Sequence, residues 1–482
     1  AAHEARSDFA REREAAERGA ALGTAQGARL LVARARILGG TAARNLGDLD
    51  RAAAAFLEAR QVFAAAGDRA GVARAANSLG IVAWQRGDLP AARRLYDEAL
   101  TTFRATGDRR GAAQALNNIA ILLWQEGNLK GAREIYGKVL AVYRETGNRR
   151  GLASSLSNLG MVQRAEGDLG QARRTHEQAL TLRREIGERQ GEGVSLNNLA
   201  QVLSDAGDLM GARDLYAKAL AIFRDVGDRR SAADALINLG EVDWERGELE
   251  TARRSYEAAL AAKRAMGDRA GLATALAGLG DVHLARGDRA AAVKSYTEAL
   301  TLREALGKKA GAARIRLGLA TAAFEAGNPA GAEPLARAAI EEAKAAEAAG
   351  VEAEGELLLA RCRLSRGQVA AALQAVDRAR ERAGRDPDRR FRRAAAIAGA
   401  RAAAAAGKAG EARAALSSAL AEARQGGLAG FELEAGLALA ELELAAGEGE
   451  TGRTHLAAVL RQARARGFGG IAALAERQLG KR

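Results

Sequence analysis

Cysteine, proline, histidine and the aromatic residues are all scarce in this chain, and each shortage excludes something. A single cysteine, Cys362, can neither form an internal disulfide nor build a zinc site. Four prolines in 482 residues argue against long structureless linkers. The four histidines, His3, His176, His283 and His455, lie far apart without partner spacing. No glycine-rich loop is followed by Lys-Ser or Lys-Thr. Converging catalytic groups, a metal centre, a phosphate cradle and a cofactor are therefore not expected, and the segment reads as non-enzymatic. No apolar run is long enough to span a bilayer, and no signal-peptide pattern opens the chain at Ala1, so a cytoplasmic setting is expected. The missing initiator Met fits a processed chain or a piece of something longer.

What remains is alanine, leucine, glycine and arginine. Alanine, leucine and arginine are strong helix formers. The net charge of +13 comes mostly from arginine. It permits binding to anionic surfaces without demonstrating it.

The dominant feature is a period. Gly47 recurs every 40 residues as far as Gly447, and a second series runs halfway between, from Gly67 to Gly307. The segments between them have helical length and helical phase, as with Leu152, Leu156, Leu159 and Val162. Gly167 can end one helix in a left-handed turn and Asp168 can cap the next. Each unit is thus an antiparallel helical hairpin, and stacking on its neighbour buries the face that it cannot bury alone. Ala132, Ala172, Ala212, Ala252 and Ala292 form one packing column. Tyr96, Tyr136, His176, Tyr216, Tyr256 and Tyr296 form another, which gives His176 a packing role. Cys362 reads as a small buried residue.

A Leu-Gly pair, a Gly-Asp turn, a small residue and an aromatic four positions later resemble the tetratricopeptide repeat. The 40-residue spacing and GDRRG-type linkers are similar to its long-repeat class, that of kinesin light chains, Leu-Gly-Asn adaptors and arrays in bacterial signalling proteins. The resemblance implies an all-α, right-handed superhelical solenoid of about eleven hairpins. It divides the chain into a partial N-terminal helix (1–26), well-matched repeats (27–307), divergent repeats (308–466) and a closing helix (467–482). In the divergent part Glu347 and Pro387 replace linker glycines, and the aromatic column lapses to Ala336, Val376 and Leu416.

Within the first helices, Asn118, Asn158, Asn198 and Asn238 form a column, preceded by Asn77, Asn117 and Asn197 one position earlier in their units. Asparagine is a poor mid-helix residue, so its repetition on one face asks for a reason. Trp84 and Trp124 follow Asn77 and Asn117 by two helical turns, and Trp244 holds the same phase. In the resembled family this column lies in the concave groove and its amides bind the backbone of an extended peptide. That implies a peptide site on the units of 71–250. Two uses are open to the amides and are compatible: binding a partner, or bonding between neighbouring repeats. The tryptophans can equally contact a ligand or pack between helices.

The expected partner is a protein or peptide. The Ala-rich C-terminal third permits close packing on another helical surface, including self-association. A basic stretch, residues 378–393, carries Arg378, Arg380, Arg382, Arg385, Arg389, Arg390, Arg392 and Arg393, diluted by Asp377, Glu381, Asp386 and Asp388. It reads as a solvated loop rather than a nucleic-acid patch. A rival reading makes the array the regulatory arm of a larger bacterial signalling protein, bearing a kinase, nucleotide-binding or DNA-binding module.

Overall fold

The computed structural model describes residues 2–307, 309–384 and 389–480. Among the described residues there are 24 helices and no strand. Eleven hairpins run from Arg29–Asn45 with Leu49–Ala65 to Ala429–Ala445 with Gly449–Ala465, preceded by Ala2–Ala25 and followed by Gly469–Leu479. The fold is an all-α solenoid of repeated hairpins. Two compact units divide it: Ala1–Ala206 with Lys218–Arg229, and Gly207–Ala217 with Arg230–Arg482.

Local chemistry sets the punctuation. Gly167 takes φ 82°, a left-handed conformation that ends the helix Arg149–Ala165. Asp168 then accepts a hydrogen bond from the Gln171 backbone N–H at 3.0 Å and starts Leu169–Glu185. Caps of this kind each contribute about 1 kcal/mol. At 347, where the linker glycine is lost, Glu347 adopts the same left-handed backbone, φ 52°.

Successive first helices from Arg29–Asn45 to Arg189–Ala206, and again from Arg269–Ala285 to Gly469–Leu479, touch one another as well as their own hairpin partners. The first helices therefore form the inner layer and the second helices the outer one. The Leu-Gly glycine is a notch for the aromatic column of the outer layer. A Cβ on Gly80 would lie 2.5 Å from the Tyr96 ring, and one on Gly280 would lie 2.6 Å from Tyr296. His176 occupies the same seat over Gly160, fully buried, and neither ring nitrogen has a hydrogen-bond partner. Burial, reinforced by Arg164 and Arg183, lowers its pKa to about 4.

A second column caps the hairpin stack through Phe63, Phe103, Tyr143 and Phe223, each closely buried. Two cations interrupt it. Buried Arg183 donates to the Gly191 carbonyl. Lys263, 1 % exposed, bonds Asp234 and, at 2.9 Å, Asp268.

Candidate functional site

In the first unit the inner helices Arg69–Gln85, Arg109–Gln125, Arg149–Ala165 and Arg189–Ala206 carry the asparagines. The structure places Asn77, Asn117, Asn118, Asn158, Asn197 and Asn198 all half-buried. Their side chains form rungs between repeats. Asn118 Nδ2 donates to Asn77 Oδ1 at 3.0 Å. Asn158 Nδ2 donates to Asn117 Oδ1 at 3.4 Å, and Ser155 Oγ donates to the same oxygen at 3.1 Å. The adjacent pair explains itself: Asn118 donates to the repeat before, and Asn117 accepts from the repeat after. Ser157 stands where the next acceptor would be; its Oγ is buried without a partner, so Asn198 has no rung to that position.

The same offset of 41 recurs further along the helices. Trp84 Nε1 donates to Gln125 Oε1 at 2.8 Å. Arg164 Nη2 donates to Asp205 Oδ1 at 3.2 Å, and at an offset of 37 its Nη1 donates to Gln201 Oε1 at 3.0 Å. Trp84 and Trp124 are half-buried, each joined to an apolar cluster that contains its own repeat's outer helix. Ile81, Ile121 and Met161, also half-buried, complete an inner face of amides, indoles and aliphatic side chains. Only the Arg164–Asp205 end carries charge among the positions named here.

In the second unit Asn238 is half-buried on Arg229–Glu245. Beyond it, Gly278 and Gly318 replace asparagine, and tyrosine rings lie close against both glycines. A Cβ on Gly318 would lie 2.7 Å from the Tyr296 ring, and the Tyr256 ring crowds Gly278 in the same way. Tyr296 donates its hydroxyl to Asp281 Oδ1 at 2.6 Å. Trp244, although in phase with Trp84 and Trp124, packs against a cluster holding Leu249, Tyr256, Leu433 and Phe468. The Arg390 guanidinium lies 5.6 Å over its ring.

The basic stretch is largely paired. Arg378 meets Glu356 at 2.8 Å, Arg382 meets Glu352 at 2.9 Å, Arg390 meets Glu241 at 2.8 Å and Arg393 meets Glu422 at 3.4 Å. Residues 385–388, with Arg385, Asp386, Pro387 and Asp388, lie outside the described residues. Cys362 is buried in an apolar cluster. Among the described residues, no group of three or more His, Cys, Asp or Glu side chains is placed to hold a metal ion, and no helix is long and apolar enough to cross a membrane.

The repeat geometry agrees with comparison to known sequences. The tetratricopeptide repeat family matches at residues 31–105, 111–185, 192–265 and 271–345, more than half of the chain. The chain belongs to that family. No curated protein matches it. Similar solved structures include BtubC from P. vanneervenii, 22% identical, covering 45% of this chain and 91% of that one, with a TM-score of 0.41. The apo form of RapI is 17% identical, covering 57% of this chain and 99% of that one, with a TM-score of 0.46. A signal transduction ATPase with a tetratricopeptide repeat sensor, PH0952 from Pyrococcus horikoshii, is 15% identical, covering 68% of this chain and 52% of that one, with a TM-score of 0.49.

Proposed function

We propose that this tetratricopeptide repeat protein is an interaction scaffold whose first unit holds an extended segment of a partner protein along its inner face, residues 71–206. The observation that carries this reading is the amide ladder of Asn77, Asn117, Asn118, Asn158, Asn197 and Asn198, half-buried between aliphatic and indole side chains. A primary amide offers two N–H groups and two lone pairs, and a rung to the next repeat uses only part of that capacity. The rungs support binding rather than replace it, because they fix the amides before a ligand arrives and lower the ordering cost of binding. A peptide backbone presents the matching alternation of donor and acceptor. The tryptophans add large rigid surfaces beside it.

Asn198 gives the cleanest test, since no rung joins it to buried Ser157. Peptides selected from a displayed random library on the wild-type protein are titrated against Asn198→Ala. A loss of about tenfold in affinity, with helicity unchanged, is expected for one lost amide contact. Unchanged affinity for every selected peptide would reject the groove.

A further inference from the structure

The second unit contains a contact between parts of the chain far apart in sequence. Its inner helices Arg229–Glu245 and Arg269–Ala285 end at the turns of Gly247 and Gly287. Against these turns lie Ala429–Ala445 and Gly469–Leu479, the last inner helices of the same unit. A Cβ on Gly287 would fall 3.0 Å from the main chain of Gly469 and Gly470. One on Gly470 would fall 3.2 Å from the Leu284 carbonyl oxygen, and one on Gly469 would run into the Arg286 carbonyl. Backbone meets backbone here, and glycine stands at the closest positions. Phe468, 4 % exposed, covers Gly247, and Leu433 and Leu437 join one apolar cluster with Leu249, Leu279 and Val282.

Charge complements the shape. Arg390, at the start of Arg389–Ala405, donates through Nη2 to Glu241 at 2.8 Å and through Nε to Glu245 at 2.7 Å. Glu245 is only 12 % exposed, so the arginine neutralises a carboxylate that burial would otherwise penalise. The same guanidinium lies over the Trp244 ring, at a distance typical of cation–π attraction. The Trp244 Nε1 is buried without a hydrogen-bond partner.

We propose that the Trp244 end of these inner helices is a docking surface for an arginine-bearing helical segment with small residues, and that the chain's own residues 389–479 occupy it, so that closure masks the surface. The chemistry matches point for point: an acid pair beside an indole receives Arg390, and glycine turns receive Ala429, Gly469 and Gly470. The ion cluster and the glycine backbone contacts border the apolar cluster of Leu249, Leu279, Leu433, Leu437 and Phe468, so closure buries apolar surface that opening would return to water. Trp244 also gains a water partner on opening.

The test is a distance measurement by electron spin resonance on Cys362→Ala protein, labelled at Ala261→Cys and Arg461→Cys on opposite sides of the contact. A short, narrow distribution is expected for the otherwise wild-type chain. Arg390→Glu should lengthen and broaden it, and adding Glu241→Arg with Glu245→Arg should restore it. Gly469→Leu, which leaves the charges intact, should open the unit by the backbone clash alone. An unchanged narrow distribution in both Arg390→Glu and Gly469→Leu would overturn the proposal. Loss of helicity in either variant would make the contact part of the fold itself and overturn it equally.

Discussion

Acid should loosen this chain at one identifiable ring. His176 fills a seat that tyrosine holds in neighbouring repeats, over Gly160, with no exposure to solvent. Its imidazole must be neutral to sit there, and its pKa falls to about 4 in the folded chain because of burial and the nearby Arg164 and Arg183. In the unfolded chain it protonates near pH ~6.5. Between those values the unfolded chain carries the proton and the folded chain does not, so lowering the pH favours unfolding. The contribution is intact above pH ~6.5 and is lost progressively as the pH falls to that of the folded group. At about 1.36 kcal/mol per pH unit the complete loss is about 3.4 kcal/mol, of which about 2 kcal/mol is gone by pH ~5.

His176→Tyr removes the titration while keeping the ring over Gly160, as Tyr96 sits over Gly80. Solenoids can unfold in parts, so the comparison should be read from hydrogen exchange in Leu169–Glu185 as well as from urea melts. The wild type should lose about 2 kcal/mol more than His176→Tyr between pH ~7.5 and ~5. Equal losses in the two proteins, with a His176 ring signal titrating near pH ~6.5 in the folded chain, would refute the reasoning.

Other packing claims make similar demands. Glu347→Gly should raise stability by about 1 kcal/mol in denaturant melts, since a glycine relieves the left-handed strain at φ 52°. Gly280→Ala should lower the melting temperature, costing about 2 kcal/mol, because its Cβ would meet Tyr296 at 2.6 Å. Lys263→Ala should cost about 2 kcal/mol in the same melts. The buried ammonium leaves Asp268 without its cation, and half-exposed Asp234 recovers water.

The hairpins were legible because their signals are local. A glycine that allows a left-handed turn, an Asp or Asn that caps, and apolar steps of three and four all act within one repeat. The seat beneath each aromatic was half-legible: the Leu-Gly pair and the aromatic column are both visible, but only packing joins Gly80 to Tyr96. The rungs needed more. Asn77 meets Asn118 rather than Asn117, an offset set by the way one inner helix lies against the next. The adjacent asparagines at 117 and 118 are the trace of that offset in the sequence. Trp244 was beyond reach of the periodicity. It shares its phase with Trp84 and Trp124, yet its neighbour Arg390 arrives from a distant repeat, and no local pattern records the summed rotation of the hairpins between them. The glycines at 278 and 318 were visible as a change in the column, but the close seating of Tyr256 and Tyr296 against them is a property of the stack.

The central claim is that partners lie along the inner face of the first unit. The most direct measurement places a photo-crosslinking residue either at Ile121 on that face or at exposed Lys138 on the outer helix, and irradiates each protein with a selected peptide bound. The account predicts crosslinking from position 121 and none from 138. Crosslinking from 138 with none from 121 would contradict it.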